Sequence, residues 1–158
     1  MIARKMPAHR TSTGSLKRAV RFLLVALALL LSAGHARAAR IVVTIDGIRS
    51  AKGDIFVALF NQATGFPDGD FSIAHAKEKA SAGAVTVTFE NVVPGTYAVG
   101  AYHDENGNGR LDTNLIGYPI EGYALSNGIR AVIARPRFVD ASFALREESK
   151  QVTLHIKY

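Results

Sequence analysis

The sequence predicts an all-β fold, an antiparallel β-sandwich of seven or eight strands interrupted by one long loop. Three observations predict it. Short apolar runs alternate with polar residues at a period of two. Clusters of Gly, Pro and Asn separate those runs at regular intervals. Beyond residue 38, no segment sustains the 3.6-residue apolar period of an amphipathic helix.

The first 38 residues stand apart from that pattern. Residues 1–21 carry Arg4, Lys5, Arg10, Lys17, Arg18 and Arg21 and no acid, and an uncharged run of twelve, Phe22 to Ala33, comes next. Ala36-Arg37-Ala38 then offers a small-x-small site. These are the three parts of a secretory signal peptide, so cleavage after Ala38 and export to the periplasm or medium are expected. The apolar run is shorter than the ~20 residues a spanning helix needs, so no stable membrane span is expected after cleavage. Seven of the 19 Lys and Arg lie in this segment, and none of the 13 Asp and Glu do. The remaining 12 basic and 13 acidic side chains give a formal charge of −1 in place of +6. The basicity therefore belongs to the export signal, and a nucleic-acid partner is not expected. Residues 39–158 suffice for one domain with a single core. With no cysteine, that domain has to hold together by packing or by a bound ion.

Taken in chain order, Arg40–Asp46 alternates, with Ile41, Val43 and Ile45 on one face. Asp54–Phe60 is apolar on both faces, as a central strand covered on both sides should be. Ser72–Ser81, "SIAHAKEKAS", reads as one short helix. Val85–Asn91 alternates cleanly, and Pro94-Gly95 suits the two central positions of a type II turn, with Gly95 at φ > 0. That turn would pair residues 85–90 with 96–103 as a hairpin. Tyr97, just past it, fits either a tyrosine corner or an ordinary core tyrosine. Arg130–Ala134 is a further candidate strand, and Phe138–Arg146 and Gln151–Tyr158 close the pattern, with Val152, Leu154 and Ile156 facing one way.

Between Asp104 and Gly128 the regularity fails. Twenty-five residues pass with no convincing strand, and they hold five glycines, four asparagines and four acids. Loops this long inside a compact domain are uncommon and tend to be functional. Tyr118, Ile120, Tyr123 and Leu125 supply apolar groups to pin the loop down. Its beginning, "DENGNGRLD", has the spacing of a calcium loop, which takes ligands from positions 1, 3, 5, 7 and 9 and needs glycine at 6. Asp104, Asn106, Asn108, the Arg110 carbonyl and Asp112 occupy the ligand positions, and Gly109 the turn. Position 12, normally a bidentate acid, is Leu115. Two readings are compatible with this. Glu121 or Asp140 completes a calcium shell, with affinity in the weak extracellular class of roughly 10⁻⁴–10⁻³ M. Alternatively, the Asp and Asn side chains bond local backbone N–H groups while Gly107 and Gly109 take φ > 0, giving a metal-free turn.

No catalytic set emerges. His103 and Asp104 are consecutive on a strand and point to opposite faces, so they do not form a dyad. Ser126 lacks a G-x-S-x-G elbow. His103, Tyr118 and Tyr123 are instead candidates for a ligand-binding edge.

The stretch "VPGTYAVGAYHDENGNGRLDTNLIGYPIEGYALSNG", with the later "FVDASFAL", resembles the signature region of a family of exported bacterial proteins known as a domain of unknown function. That resemblance implies an exported β-rich domain and supplies no reaction. Phe89–Tyr97, F-x-N-V-x-P-G-x-Y, is similar to transthyretin-like and adhesin-type sandwich modules. An immunoglobulin-like or transthyretin-like sandwich is thus the expected architecture. The expected function is a non-enzymatic binding or accessory module of the cell envelope, stabilised by calcium at loop 104–128 and engaging an envelope ligand or protein. The alternatives are a small periplasmic hydrolase using His103 with a loop carboxylate, and a purely structural envelope protein.

Overall fold

A computed structural model describes residues 39–130, 134–146 and 149–158. The proposed signal segment, its cleavage site and the centre of the candidate strand 130–134 lie outside the described residues. Among the described residues, eight strands form two sheets. The first has the order β4-β1-β8, from β1 (Ala39–Ile48), β4 (Gly83–Val92) and β8 (Lys150–His155). The second has the order β3-β2-β5-β6, from β2 (Asp54–Phe60), β3 (Ala74–Lys79), β5 (Gly95–Asp104) and β6 (Gly122–Leu125). The short β7 (Phe143–Leu145) pairs with the start of β5. This is the all-β sandwich the alternation predicts, with one ladder, β1–β8, running parallel.

The core lies where the two inner faces meet. Ile41, Val43 and Ile45 of β1 are buried, with Val87 and Phe89 of β4 and Leu154 of β8. Facing them are Ile55, Val57 and Leu59 of β2 and Tyr97, Val99 and Ala101 of β5. Each large side chain sealed here contributes about 1.5–3 kcal/mol, so the period-two pattern carries much of the folding free energy. A second cluster covers the outer face of the β2–β5–β6 sheet, built from Phe60, Phe66, Ala98, Leu125 and Ala141. It explains why β2 is apolar on both faces.

Four local expectations are corrected. Ser72–Ser81 is not helical, because Ala74–Lys79 forms the edge strand β3 against β2. Alanine, lysine and glutamate favour a helix, but the open edge of β2 offers a ladder, and charged residues suit an exposed edge strand. Phe138–Arg146 is not one strand. A single helical turn, α1 (Phe138–Ala141), precedes β7, so Phe138 and Ala141, three residues apart, both reach the outer cluster. The loop after β5 does contain a strand, β6, whose four residues are all buried and too few to show a period.

The fourth correction concerns the hairpin. β4 pairs with β1 and β5 with β2, so Val93 and Pro94 cross from one sheet to the other. The positive φ falls on Asn91, at 57°, while Gly95 is extended and pairs with Leu145. Pro94 stands in the crossing, where its missing N–H costs no ladder bond. Tyr97 secures the crossing, donating its hydroxyl to the Val93 carbonyl at 2.8 Å, the geometry of a tyrosine corner.

Candidate functional site

β5 ends at Asp104, and the side chain of that residue organises the loop beyond it. It is fully buried. Its Oδ1 accepts the backbone N–H groups of Gly107 at 2.7 Å and Asn108 at 3.1 Å, and its Oδ2 accepts that of Gly109 at 2.8 Å. Such a wrap needs left-handed backbone at two positions, and Gly107 (φ 75°) and Gly109 (φ 80°) provide it. Each carboxylate oxygen has two lone pairs, so Oδ2 keeps one for a further partner.

Asp112 forms the second pole. Its carboxylate accepts the Asn106 amide at 2.6 Å and the Asn108 amide at 2.9 and 3.0 Å. Hydrogen bonds from Asn108, and then from Asn106, hold its carboxyl below the ordinary value, with the Arg110 guanidinium helping from 3.5 Å. The amide oxygens of Asn106 and Asn108 accept the backbone N–H groups of Asn108 and Arg110, both at 3.0 Å. Glu121, buried just before β6, accepts the Asp112 N–H at 3.0 Å through Oε2. The loop thus returns to its origin, and Asp104, Asn106, Asn108, Asp112 and Glu121 share one hydrogen-bonded unit. Asp140 does not join it, because its carboxylate pairs with Arg137, the residue that precedes α1.

Chemically, this unit is a cradle of oxygen atoms in which amide N–H groups serve as the positive partners of Asp112. Rotating the two Asn amides by 180° would present oxygens in place of N–H donors, at the cost of their bonds to the Asn108 and Arg110 N–H groups, and water or a cation would then have to satisfy them. Tyr102 reports the local charge. Its hydroxyl donates to the Gly109 carbonyl at 3.1 Å, and its phenol is pushed up to about 12 by burial and then by the charges of Asp104 and Glu121. Asp54, which no sequence motif singles out, also lies here: it faces Asp104 across the β2–β5 ladder and forms ion pairs with Lys79 at 2.8 Å and Lys77 at 2.9 Å. Only strand pairing could have revealed it.

Between Asp112 and β6 the chain makes a small ordered tip. Thr113 bridges to Pro119, and the Asn114 side chain accepts the N–H groups of Ile116 and Tyr118. Leu115 and Ile116 are fully exposed at its end, while Tyr118 and Ile120 are also largely open to solvent and so do not pin the loop. That role falls to Tyr123 and Leu125 in β6, both buried.

His103 occupies a separate setting. It lies on the inner face and is fully buried. Nε2 is 2.7 Å from the Lys52 carbonyl, which can only accept, so Nε2 carries the proton. Nδ1 is 2.6 Å from the Tyr158 hydroxyl, which donates to it while accepting the Arg49 backbone N–H at 3.1 Å. The Arg49 guanidinium lies 4.0 Å above the Tyr158 ring and forks onto Glu105, which also accepts the Ser50 hydroxyl at 2.8 Å. Those bonds, Arg49 foremost, hold the Glu105 carboxyl down at about 2. Both ring nitrogens of His103 are occupied, and with Tyr123 also buried, the expected edge of His103, Tyr118 and Tyr123 is reduced to Tyr118. Ser126 is likewise committed: its hydroxyl donates to the Ala141 carbonyl at 2.6 Å and accepts the Val99 N–H at 3.0 Å.

No curated protein and no solved structure matches the chain. One family model does, over residues 43–153, which span both sheets and the loop. The chain belongs to that family, described as uncharacterized protein conserved in bacteria (DUF2141).

Proposed function

We propose that this protein is an exported, non-enzymatic β-sandwich module of the cell envelope that binds a partner or ligand and is stabilised by calcium at loop 104–128. The single observation that carries the reading is the convergence of Asp104, Asn106, Asn108, Asp112 and Glu121 on one hydrogen-bonded unit. Their side chains are oxygen-rich, which suits calcium over zinc or a redox metal. Glu121 supplies the carboxylate that position 12 of the loop lacks. Export rests on the basic, apolar and A-x-A segments of residues 1–38. The hydrolase alternative needs a free nitrogen on His103, and both are taken.

The test is thermal melting of the purified protein in EDTA, in calcium and in magnesium. A ligand that binds only the folded state adds RT ln(1 + [L]/Kd), about 1.4 kcal/mol at ten times Kd. For a domain of this size that raises Tm by roughly 3–8 °C. Magnesium should do less, because it demands a stricter shell and sheds water reluctantly. Asp104→Ala and Asp112→Ala should each abolish the calcium increment, and Glu121→Gln should weaken it. In Glu105→Gln the increment should persist, since Glu105 turns to Arg49. Calcium should also lower the Tyr102 phenol pKa, by neutralising the two carboxylates that help raise it. Identical wild-type melting curves in EDTA and in excess calcium would leave a metal-free turn and favour the purely structural alternative. N-terminal sequencing of periplasmic protein checks cleavage after Ala38.

A further inference from the structure

A second site lies beyond β6, on the face of the β2–β5–β6 sheet that carries the second apolar cluster. An open cleft of about 330 Å³ is lined by Arg130, Arg135 and Arg137, with Ile129, Pro136 and Asp140 beside them. Three of the seven arginines beyond residue 38 stand within residues 130–137, although residues 39–158 together carry a formal charge of −1. Asp140 neutralises one of them, accepting from Arg137 Nε and Nη2 at 2.8 Å each. The other two are held by uncharged groups. Arg135 donates from Nε to the Phe66 carbonyl at 2.9 Å and from Nη2 to the Gly65 carbonyl at 2.8 Å. Arg130 lies 4.9 Å over the ring of Tyr123. Among the described residues, no carboxylate forms an ion pair with either.

This arrangement separates orientation from neutralisation. Carbonyl oxygens and an aromatic face fix where a guanidinium sits without cancelling its charge. Arg135 has five N–H groups and spends two, leaving three for an anion. Guanidinium groups already held in place lose little further freedom on binding, and their planar forks match carboxylate and phosphate oxygens. Ile129 and Pro136 add an apolar wall beside the charge. A free inorganic ion would use the arginines and leave that wall wet, whereas an anionic group on an apolar body would use both. We propose that this cleft binds an organic anion, a carboxylate or phosphate group attached to an apolar body. The proposal is independent of calcium at loop 104–128.

Calorimetric titration of the purified protein with hexyl phosphate, hexanoate, inorganic phosphate and hexanol tests it. At least one of the two organic anions should bind saturably, about tenfold or more tighter than both inorganic phosphate and hexanol. The one that binds identifies the head group. Arg130→Gln and Arg135→Gln should each weaken that binding by roughly tenfold, the equivalent of one charge-assisted hydrogen bond. Arg40→Gln, far from the cleft, should leave it unchanged. Because Arg135 also braces the Gly65–Phe66 turn, its variant is read together with Arg130→Gln, which among the described residues removes no side-chain hydrogen bond. Shifts of the Arg130 and Arg135 Nε–H signals in nitrogen-proton NMR should saturate with the calorimetric curve. No saturable binding of either organic anion would overturn the proposal. So would equal binding of inorganic phosphate, or an Arg130→Gln protein with unchanged affinity.

Discussion

His103 and Asp104 are consecutive, fully buried and polar, yet they are satisfied in opposite ways. Asp104 draws its partners from residues three to five positions ahead, all of them backbone N–H groups of its own loop. His103 draws its partners from residues 51 and 55 positions away, the Lys52 carbonyl and the Tyr158 hydroxyl. The first arrangement shapes a loop; the second ties the β1–β2 connection and Tyr158, three residues past β8, to the second sheet. Both obey the rule that a buried polar group must be paired. Loss of the local set should therefore disorder a loop, and loss of the distant set should loosen the sandwich.

The largest effect is expected where the two sets meet. Gly53, next to Lys52, has φ +70° and lies against the end of β5, where an added Cβ would be 1.8 Å from the Asp104 carbonyl oxygen. Gly53→Ala should lose more than about 3 kcal/mol, combining backbone strain with a backbone clash that side-chain rotation cannot relieve. Chemical denaturation measures it, and a loss under about 1 kcal/mol would mean the β1–β2 connection does not press on β5.

Asp104→Ala comes next. It strips the Gly107 and Gly109 N–H groups of their acceptor and leaves that of Asn108 only the Asn106 amide oxygen, and about 2–4 kcal/mol should be lost as the loop opens to water. Hydrogen exchange should rise sharply at Gly107, Asn108 and Gly109 while the His103 region stays protected. Uniform loss of protection would erase the distinction between the two sets.

Glu105→Gln probes the rim of the distant set through pH. The carboxyl sits at about 2 in the fold against an ordinary 4.5, so the unfolded chain takes up the proton first as pH falls. Its contribution is complete above about pH 4.5 and is lost on descending through pH 2. With Arg49 half-exposed, solvent screening leaves about 1–2 kcal/mol at neutral pH. The wild-type and Glu105→Gln stabilities should differ at pH 7 and converge near pH 2; a constant difference would place the effect in packing.

Tyr158→Phe should be mildest, about 1 kcal/mol, because it keeps the ring under Arg49 and removes only the hydroxyl between Arg49 and His103. The imidazole NMR signals of His103 should move, and those of Asn106 and Asn108 should not.

The same contrast separates the legible parts of the molecule from the rest. Strands β1, β4 and β8 are visible in the sequence because alternation along a strand reflects burial of one face, and β2 because an unbroken apolar run reflects burial of both, properties each segment carries by itself. The turn at Asp104–Asp112 is visible for the same reason: its donors, acceptors and left-handed glycines lie within nine residues. Helix propensity misleads at Ala74–Lys79, where an unpaired edge of β2 is the deciding partner. The type II turn at Pro94-Gly95 misleads because a sheet-to-sheet crossing and a hairpin use the same residues. By itself the sequence determined the layered β character, the apolar faces and the local turn. Only the tertiary structure decided that Glu121 returns to Asp112, that Asp54 faces Asp104, that Tyr158 caps His103, and that Arg130 and Arg135 share a cleft. Those pairings join residues far apart in the chain, and which distant segments meet depends on how the two sheets pair and pack, a property that no single stretch of residues possesses.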